Sequence, residues 1–254
     1  MTGVQTCALP IYQCGLDTVR IAIGDNLLRK PCATELMRLN KSFIVKRSAK
    51  GPREMAKTFS ELSSYIADSL QEGHSIWIAQ KEGRAKDGDD RTDPAILKMF
   101  YMAGKQKKLG FVEYMQQLNI VPVAISYEYD PGDEAKAREL YETSTNGSYQ
   151  KSEFEDIESI VAGIIGYKGR VHVNVGQPLT DGFTTPEELA AAIDRSIHAQ
   201  YRLFASNLLA ADVDASDVTP EQRTQFEQRM AAMDPKWREI AKAMYAKPVE
   251  NQRS

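Results

Sequence analysis

From residue 18 onward, short apolar runs rich in β-formers alternate with longer stretches of helical period, which constrains the fold more than any other feature. Thr18-Val19-Arg20-Ile21-Ala22-Ile23 is the first run, ended by Gly24-Asp25-Asn26, and a helical stretch follows through about Leu39. Phe43-Ile44-Val45 is the second, closed by Lys46-Arg47-Ser48. Gly51-Pro52 then opens a helix, because proline in a first turn gives up an N–H that has no helical partner there. Met55, Phe59, Leu62, Ile66 and Leu70 recur at helical spacing and predict one apolar stripe, with Gly73 as the stop. Ser75 to Ala79 reads as the third strand, Lys81 to Thr92 as a polar loop, and Asp93-Pro94 as a helix start. A helical segment over Leu109–Leu118 leads to a fourth strand, Ile120 to Ser126.

Strand–helix alternation with right-handed crossovers predicts an α/β fold, a mainly parallel central sheet flanked by helices on both faces. The near-continuous apolar character of Ile120–Ile125 fits a strand buried on both sides. Val171, Val173 and Val175 alternate with polar residues and fit a strand nearer an edge. Thr185-Pro186-Glu187-Glu188 is a capping box opening a helix to about Leu208. Ala210 to Asp217 reads as an acidic linker. Two short helices, opening at Thr219-Pro220 and Asp234-Pro235, form a small helical C-terminal extension that frays after Lys247.

Met1 to Ile11 (MTGVQTCALPI) has neither a basic start nor a sustained apolar stretch, and it matches the translation of a sequencing adapter. The expected organisation is therefore 1–11 as an assembly scar, 12–208 as one α/β domain and 209–254 as linker and helical tail. The natural protein is expected to continue upstream of Tyr12. A net charge of −3 and a pI near 5.8 give no nucleic-acid footprint. No run approaches the ~18 apolar residues of a membrane span. Cys7, Cys14 and Cys32 have no metal-ligand spacing and read as reduced thiols. The Asp87, Asp89, Asp90 and Asp93 group lacks the register of a calcium loop and reads as solvated acids, so no metal is expected. No Gly-x-Gly-x-x-Gly follows the first strand, which counts against a dinucleotide site.

In open α/β sheets ligands bind beyond the carboxyl ends of the strands. Three successive strands here end in polar groups: Gly24-Asp25-Asn26, Lys46-Arg47, and Lys81-Glu82-Gly83-Arg84. Converging cations at such a rim suit a phosphorylated or otherwise anionic ligand, while the plainer reading is charged surface loops.

Ile23-Gly24-Asp25-Asn26-Leu27-Leu28, Ser42-Phe43-Ile44-Val45-Lys46-Arg47, Glu82-Gly83-Arg84 and Ile120-Val121-Pro122-Val123 stand in the order and approximate spacing of four motifs of the bacterial glycerolipid acyltransferase family. Gly176-Gln177-Pro178-Leu179 resembles the turn after that family's late strand. The resemblance covers about residues 15–208. It implies transfer of a fatty acyl group from an acyl carrier protein or coenzyme A thioester to a hydroxyl of glycerol 3-phosphate, the thioester being a co-substrate and no other cofactor being needed. By the same resemblance Arg47 and Arg84 grip the acceptor phosphate, with Lys46 beside the first. Glu82 and Gly83 complete the third motif, Asp25 and Asn26 the first, and Pro122 shapes a wall. The third motif reads Glu-Gly-Arg rather than Glu-Gly-x-Arg, so Lys86 shares the candidacy with Arg84. The second motif begins Lys41-Ser42, where the family has small residues, often glycine.

The family's reaction needs His-x-x-x-x-Asp, whose histidine removes the hydroxyl proton. Five positions beyond His74, His172 and His198 stand Ala79, Gln177 and Leu203. No catalytic residue is therefore assigned, and the chain is expected to be inactive, since losing a general base costs ~10²–10⁴-fold. The alternatives are a lysophosphatidate acceptor, or a pseudoenzyme that binds phospholipid or acyl carrier protein. A lipid product implies a cytoplasmic protein held peripherally on the inner face of the membrane. Lys105-Gln106-Lys107-Lys108 and the Arg47–Arg53 stretch are candidate contacts with anionic headgroups, or simply solvated charge.

Overall fold

The computed structural model describes residues 15, 17–25, 34, 35, 39, 41–45, 51–81, 85–150, 152 and 155–253, and of 156, 157 and 160 the backbone alone. The fold is α/β and divides into two compact units. The first comprises Met1–Glu82, Thr92–Pro122 and Gln177–Asp194; the second comprises Gly83–Arg91, Val123–Gly176 and Arg195–Ser254.

In the first unit, strand β1 (Arg20–Gly24) lies between β2 (Ser42–Val45) and β3 (Ile76–Trp77), parallel to both. Ile21 and Ile23 turn to the buried side of β1, and Phe43 of β2 is buried with Leu62, Ile66 and Met99. Helix α1 (Pro52–Gln71) starts on proline as expected and ends where Gly73 takes φ +83 and returns its N–H to the Leu70 carbonyl at 3.0 Å. Its stripe is buried only in the second half. Met55 and Phe59 remain 43% and 37% exposed, whereas Ser63, Ala67 and Ser69 are buried. A small hydroxyl makes the contact with the next helix. Ser63 Oγ donates to the Phe100 carbonyl and accepts the Ala103 N–H, both at 2.9 Å, on helix α2 (Pro94–Gln106).

Asp93 caps α2 by accepting the Ala95 N–H at 2.9 Å. Gly104 lets α2 approach helix α3 (Phe111–Leu118): a Cβ there would sit 2.5 Å from Tyr114 Cγ. The Thr185 capping box forms as read, Thr185 Oγ1 accepting the Glu188 N–H and the Glu188 carboxylate accepting the Thr184 and Thr185 N–H groups. It opens α6 (Pro186–Gln200), and Thr92 donates its N–H and hydroxyl to Asp194 of that helix at 2.8 and 2.6 Å.

In the second unit, β4 (Val123–Tyr127) pairs antiparallel with β5 (Val171–Val175), in register from Val123↔Val175 to Tyr127↔Val171. Among the described residues this ladder is separate from the parallel one. The expectation of a fourth strand buried on both sides is not met. Burial along β4 alternates, with Ala124 and Ser126 inside and Val123, Ile125 and Tyr127 half-buried, the pattern of a one-sided antiparallel pair.

Helix α4 is Asp133–Asn146 and α5 is Glu155–Ile165. The helix expected to run from Thr185 to about Leu208 instead stops at Gln200, and α7 (Ala205–Ala210) is a separate element. The reason is polar: Arg202 gives its N–H to Ser126 Oγ, and buried Asn207 accepts the Phe204 N–H while donating to the Tyr245 carbonyl, all at 2.9 Å. Helices α8 (Pro220–Ala232) and α9 (Pro235–Arg253) close the chain. Leu209, Phe226, Met230, Met233, Ala241, Met244 and Tyr245 cluster with Tyr129 and Ala137, so the C-terminal helices carry this unit's core. Where fraying was expected, α9 continues through Pro248, with Val249 and Asn251 buried.

Candidate functional site

Parallel pairing brings the carboxyl ends of three strands to one edge of the first unit's sheet. Gly24 stands opposite Val45, so β1 and β2 end level with each other. β3 ends level with Ile21, and a few more residues of chain lead to the third motif. The topology thus makes neighbours of the strands that carry the first three candidate motifs. Asp25 is half-buried at the end of β1. Asn26, Lys46, Arg47, Glu82, Gly83 and Arg84 lie outside the described residues.

At the other end of the sheet, Lys41 adopts φ +53 just before β2, a left-handed conformation that glycine enters freely. The turn thus keeps a glycine-like backbone despite the lysine. Lys41 Nζ is held by Asp17 at 2.6 Å and its carbonyl accepts the Ile21 N–H, which anchors the residue in that conformation. The Asp17 carboxyl is lowered from its ordinary value chiefly by the Lys41 hydrogen bond.

Pro122 is buried directly before β4. Two resembling segments far apart in sequence meet here, as the Leu179 N–H of the Gly-Gln-Pro-Leu turn donates to the Ile120 carbonyl of the fourth motif at 2.9 Å. Lys86 is engaged elsewhere. In the second unit its ammonium is ion-paired with Glu139 of α4, so its charge is already matched.

The histidines behave as structural residues. His74 follows the α1 stop and gives its N–H to the Ser69 carbonyl. His172 faces Ser126 across the β4–β5 ladder. His198 Nε2 lies 3.4 Å from the Asp90 carbonyl. Among the described residues no histidine ring is hydrogen-bonded to a carboxylate, and no three potential metal ligands gather.

The second unit holds a charged network that the sequence does not announce. Asp133 Oδ2 accepts from Arg229 Nε and from the Tyr245 hydroxyl, each at 2.7 Å. Arg229 also donates to the Asp130 carbonyl at 2.8 Å, the Asp130 N–H donates to the Tyr245 oxygen at 3.0 Å, and Lys136 pairs with the Asp130 carboxylate. Burial pushes the Tyr245 hydroxyl far above its usual range, and the Asp133 charge adds to the effect. A phenol so held keeps its proton, and the network reads as structural. Its aspartates lie in an ordinary turn-and-helix sequence, Asp130-Pro131-Gly132-Asp133, while Arg229 and Tyr245 come from α8 and α9, so neither spacing nor composition marks them. Near it, Arg170 forks onto Glu128 at 2.9 and 3.1 Å and adds its backbone N–H at 2.8 Å, while Gly169 makes room for the carboxylate.

Comparison with protein-family models and with curated proteins gave no match. No helix among the described residues is long and apolar enough to cross a membrane. The Lys105–Lys108 run at the end of α2 is exposed, with Lys105 Nζ over the Tyr101 ring and Gln106 donating to Ser60 Oγ.

Proposed function

We propose that this chain is built to recognise glycerol 3-phosphate as the acyl acceptor of a glycerolipid O-acyltransferase, at the cytoplasmic membrane surface. One observation supports this reading above the rest. The parallel order β2-β1-β3 makes neighbours of the strand ends that lead into Gly24-Asp25-Asn26, Lys46-Arg47 and Glu82-Gly83-Arg84. In the proposed mechanism Lys46 and Arg47 bind the acceptor phosphate, Arg47 through a two-pronged contact that suits its planar fork. Arg84 has the matching role in the third motif and Glu82 orients it, whereas Lys86 is left to its partner Glu139. The acyl group comes from an acyl carrier protein or coenzyme A thioester.

None of the three histidines stands five residues before an aspartate, so this chain itself binds the acceptor without turning it over. Lysophosphatidate is the second acceptor to test. The experiment incubates the purified chain with labelled glycerol 3-phosphate and an acyl thioester. Equilibrium dialysis should retain the label, unlabelled glycerol should fail to displace it, and no acylated product should form. Loss of all label overturns the acceptor assignment, and acyl transfer overturns the claim that the base is lacking.

A further inference from the structure

Beyond the acceptor reading, and independent of it, we propose that the second unit carries a phosphate-binding site formed by Arg202, Arg170 and His172 on one face of the β4–β5 ladder. The register of the two strands places two of the three. His172 stands opposite Ser126, and one step past the paired residues the Glu128 N–H donates to the Arg170 carbonyl at 2.9 Å. Cross-strand partners share a face, as do residues two apart, so Ser126, Glu128, Arg170 and His172 project to the same side. Along β4 that side is closed, Ser126 and Glu128 being buried, whereas His172 is half-buried and Arg170 and Arg202 are open to water.

The segment between α6 and α7 brings the third group. The Arg202 N–H is held by Ser126 Oγ at 2.9 Å, and Ser126 is also the cross-strand partner of His172. Two residues on, the buried Phe204 ring has its centre 5.2 Å from Arg170 Cζ and 5.9 Å from Arg202 Cζ, so both cations rest on one aromatic ring. Arginine keeps its proton, so both charges persist side by side. Glu128 matches one of them, engaging Nε and Nη2 of Arg170. Among the described residues Arg170 Nη1, the whole Arg202 guanidinium and the His172 ring have no acceptor. One positive charge is thus left in excess, on donors anchored to buried Ser126, Glu128 and Phe204 but facing water. A phosphate group fits this arrangement. Its oxygens diverge tetrahedrally and can meet two guanidinium groups and an imidazole N–H together, whereas the two oxygens of a carboxylate lie in one plane and suit a single fork. The same chemistry is offered by free phosphate, a phosphomonoester or a phospholipid headgroup.

The test titrates inorganic phosphate, against chloride at constant ionic strength, into the full isotope-labelled chain and follows amide proton–nitrogen NMR signals. The signals of Gly169, Arg170, His172 and Arg202 should move along a saturating curve. Arg202→Ala, a change at an exposed side chain, should weaken binding about fivefold, the size of one exposed charge contact, with the rest of the spectrum and the Tm preserved. Arg202→Lys keeps the charge without the fork and should fall between the two. Arg47→Ala should bind phosphate here as wild type does, so failure of the acceptor reading leaves this result standing. Shifts that never saturate, that Arg202→Ala leaves unchanged, or that vanish in Arg47→Ala overturn the site. Sedimentation with vesicles of phosphatidylglycerol and phosphatidylcholine then identifies the source. Vesicle binding that Arg202→Ala weakens and phosphate displaces assigns the site to a lipid headgroup. Saturable phosphate binding with vesicle binding absent, or indifferent to Arg202→Ala, assigns it to a soluble phosphate or phosphomonoester.

Discussion

Replacing Asp133 by alanine removes the carboxylate that accepts both Arg229 Nε and the Tyr245 hydroxyl. The Asp133 side chain is 5% exposed and that of Arg229 25%. Deleting one member of a buried ion pair costs ~3–5 kcal/mol, because the other charge is left without its partner. Arg229 retains the Asp130 carbonyl, sits 5.2 Å from the centre of the Tyr129 ring and is reached by some water, which places the loss at the low end, about 3 kcal/mol. Urea unfolding should be followed at Trp237 in a Trp77→Phe background, since Trp77 in β3 belongs to the other unit. With a slope of ~2 kcal/mol/M, the midpoint should fall by about 1.5 M at unchanged slope. Asp133→Asn keeps the shape and one acceptor and should cost less, about 1–2 kcal/mol. The double variant Asp133→Ala/Arg229→Ala should lose less than the sum of the singles by ~1–3 kcal/mol. A midpoint shift below about 0.5 M, or strictly additive losses, would show that the pair does not hold this core together.

Two further outcomes follow from local geometry. Gly104→Ala drives a methyl into the buried Tyr114 ring and should cost ~1–3 kcal/mol by overpacking, read at Trp77 in a Trp237→Phe background; a neutral result would mean that α2 and α3 are not in close contact. Burial would push the Glu128 carboxyl up, but hydrogen bonds from the Arg170 side chain and backbone, with its charge, outweigh this and hold it below the ordinary value. A lowered folded value means stability that is fully present above the ordinary glutamate range of about 4.3 and is lost as pH falls through the folded value. Because the Arg170 side chain is 54% exposed the loss should be at most ~1 kcal/mol between pH 7 and pH 3, and Glu128→Gln should abolish it; an identical acid loss in that variant contradicts the assignment.

Local signals were legible where the chemistry is local. Asp93-Pro94 and Thr185-Pro186 announced helix starts because a cap needs only neighbouring backbone, and the α1 stop at Gly73 followed from its need for positive φ. Strands β1 and β2 were visible in their apolar runs, and the parallel pairing of β1 with β3 fits the helix α1 that precedes β3 in the chain. What failed to show was non-local. The antiparallel partnership of β4 depends on a strand many residues away. The break after Gln200 depends on Ser126 and Tyr245, which capture groups a longer helix would have used. Met55 and Phe59 keep helical spacing yet stay exposed, while the contact of Ser63 with α2 is polar and no apolar spacing announces it. Of the candidate site, the strand ends were readable. The engagement of Lys86 by Glu139 and the burial of Asn251 were not, since each needs a partner far away in the chain.

The central claim, recognition of an acceptor phosphate by the cations after β2, is tested most directly by calorimetric titration of glycerol 3-phosphate into the wild-type chain and Arg47→Ala. Saturable binding to wild type that weakens at least about tenfold in Arg47→Ala, as loss of a charged hydrogen-bonding partner requires, is the predicted result. Binding that is absent from wild type, or equal in the two proteins, would contradict it.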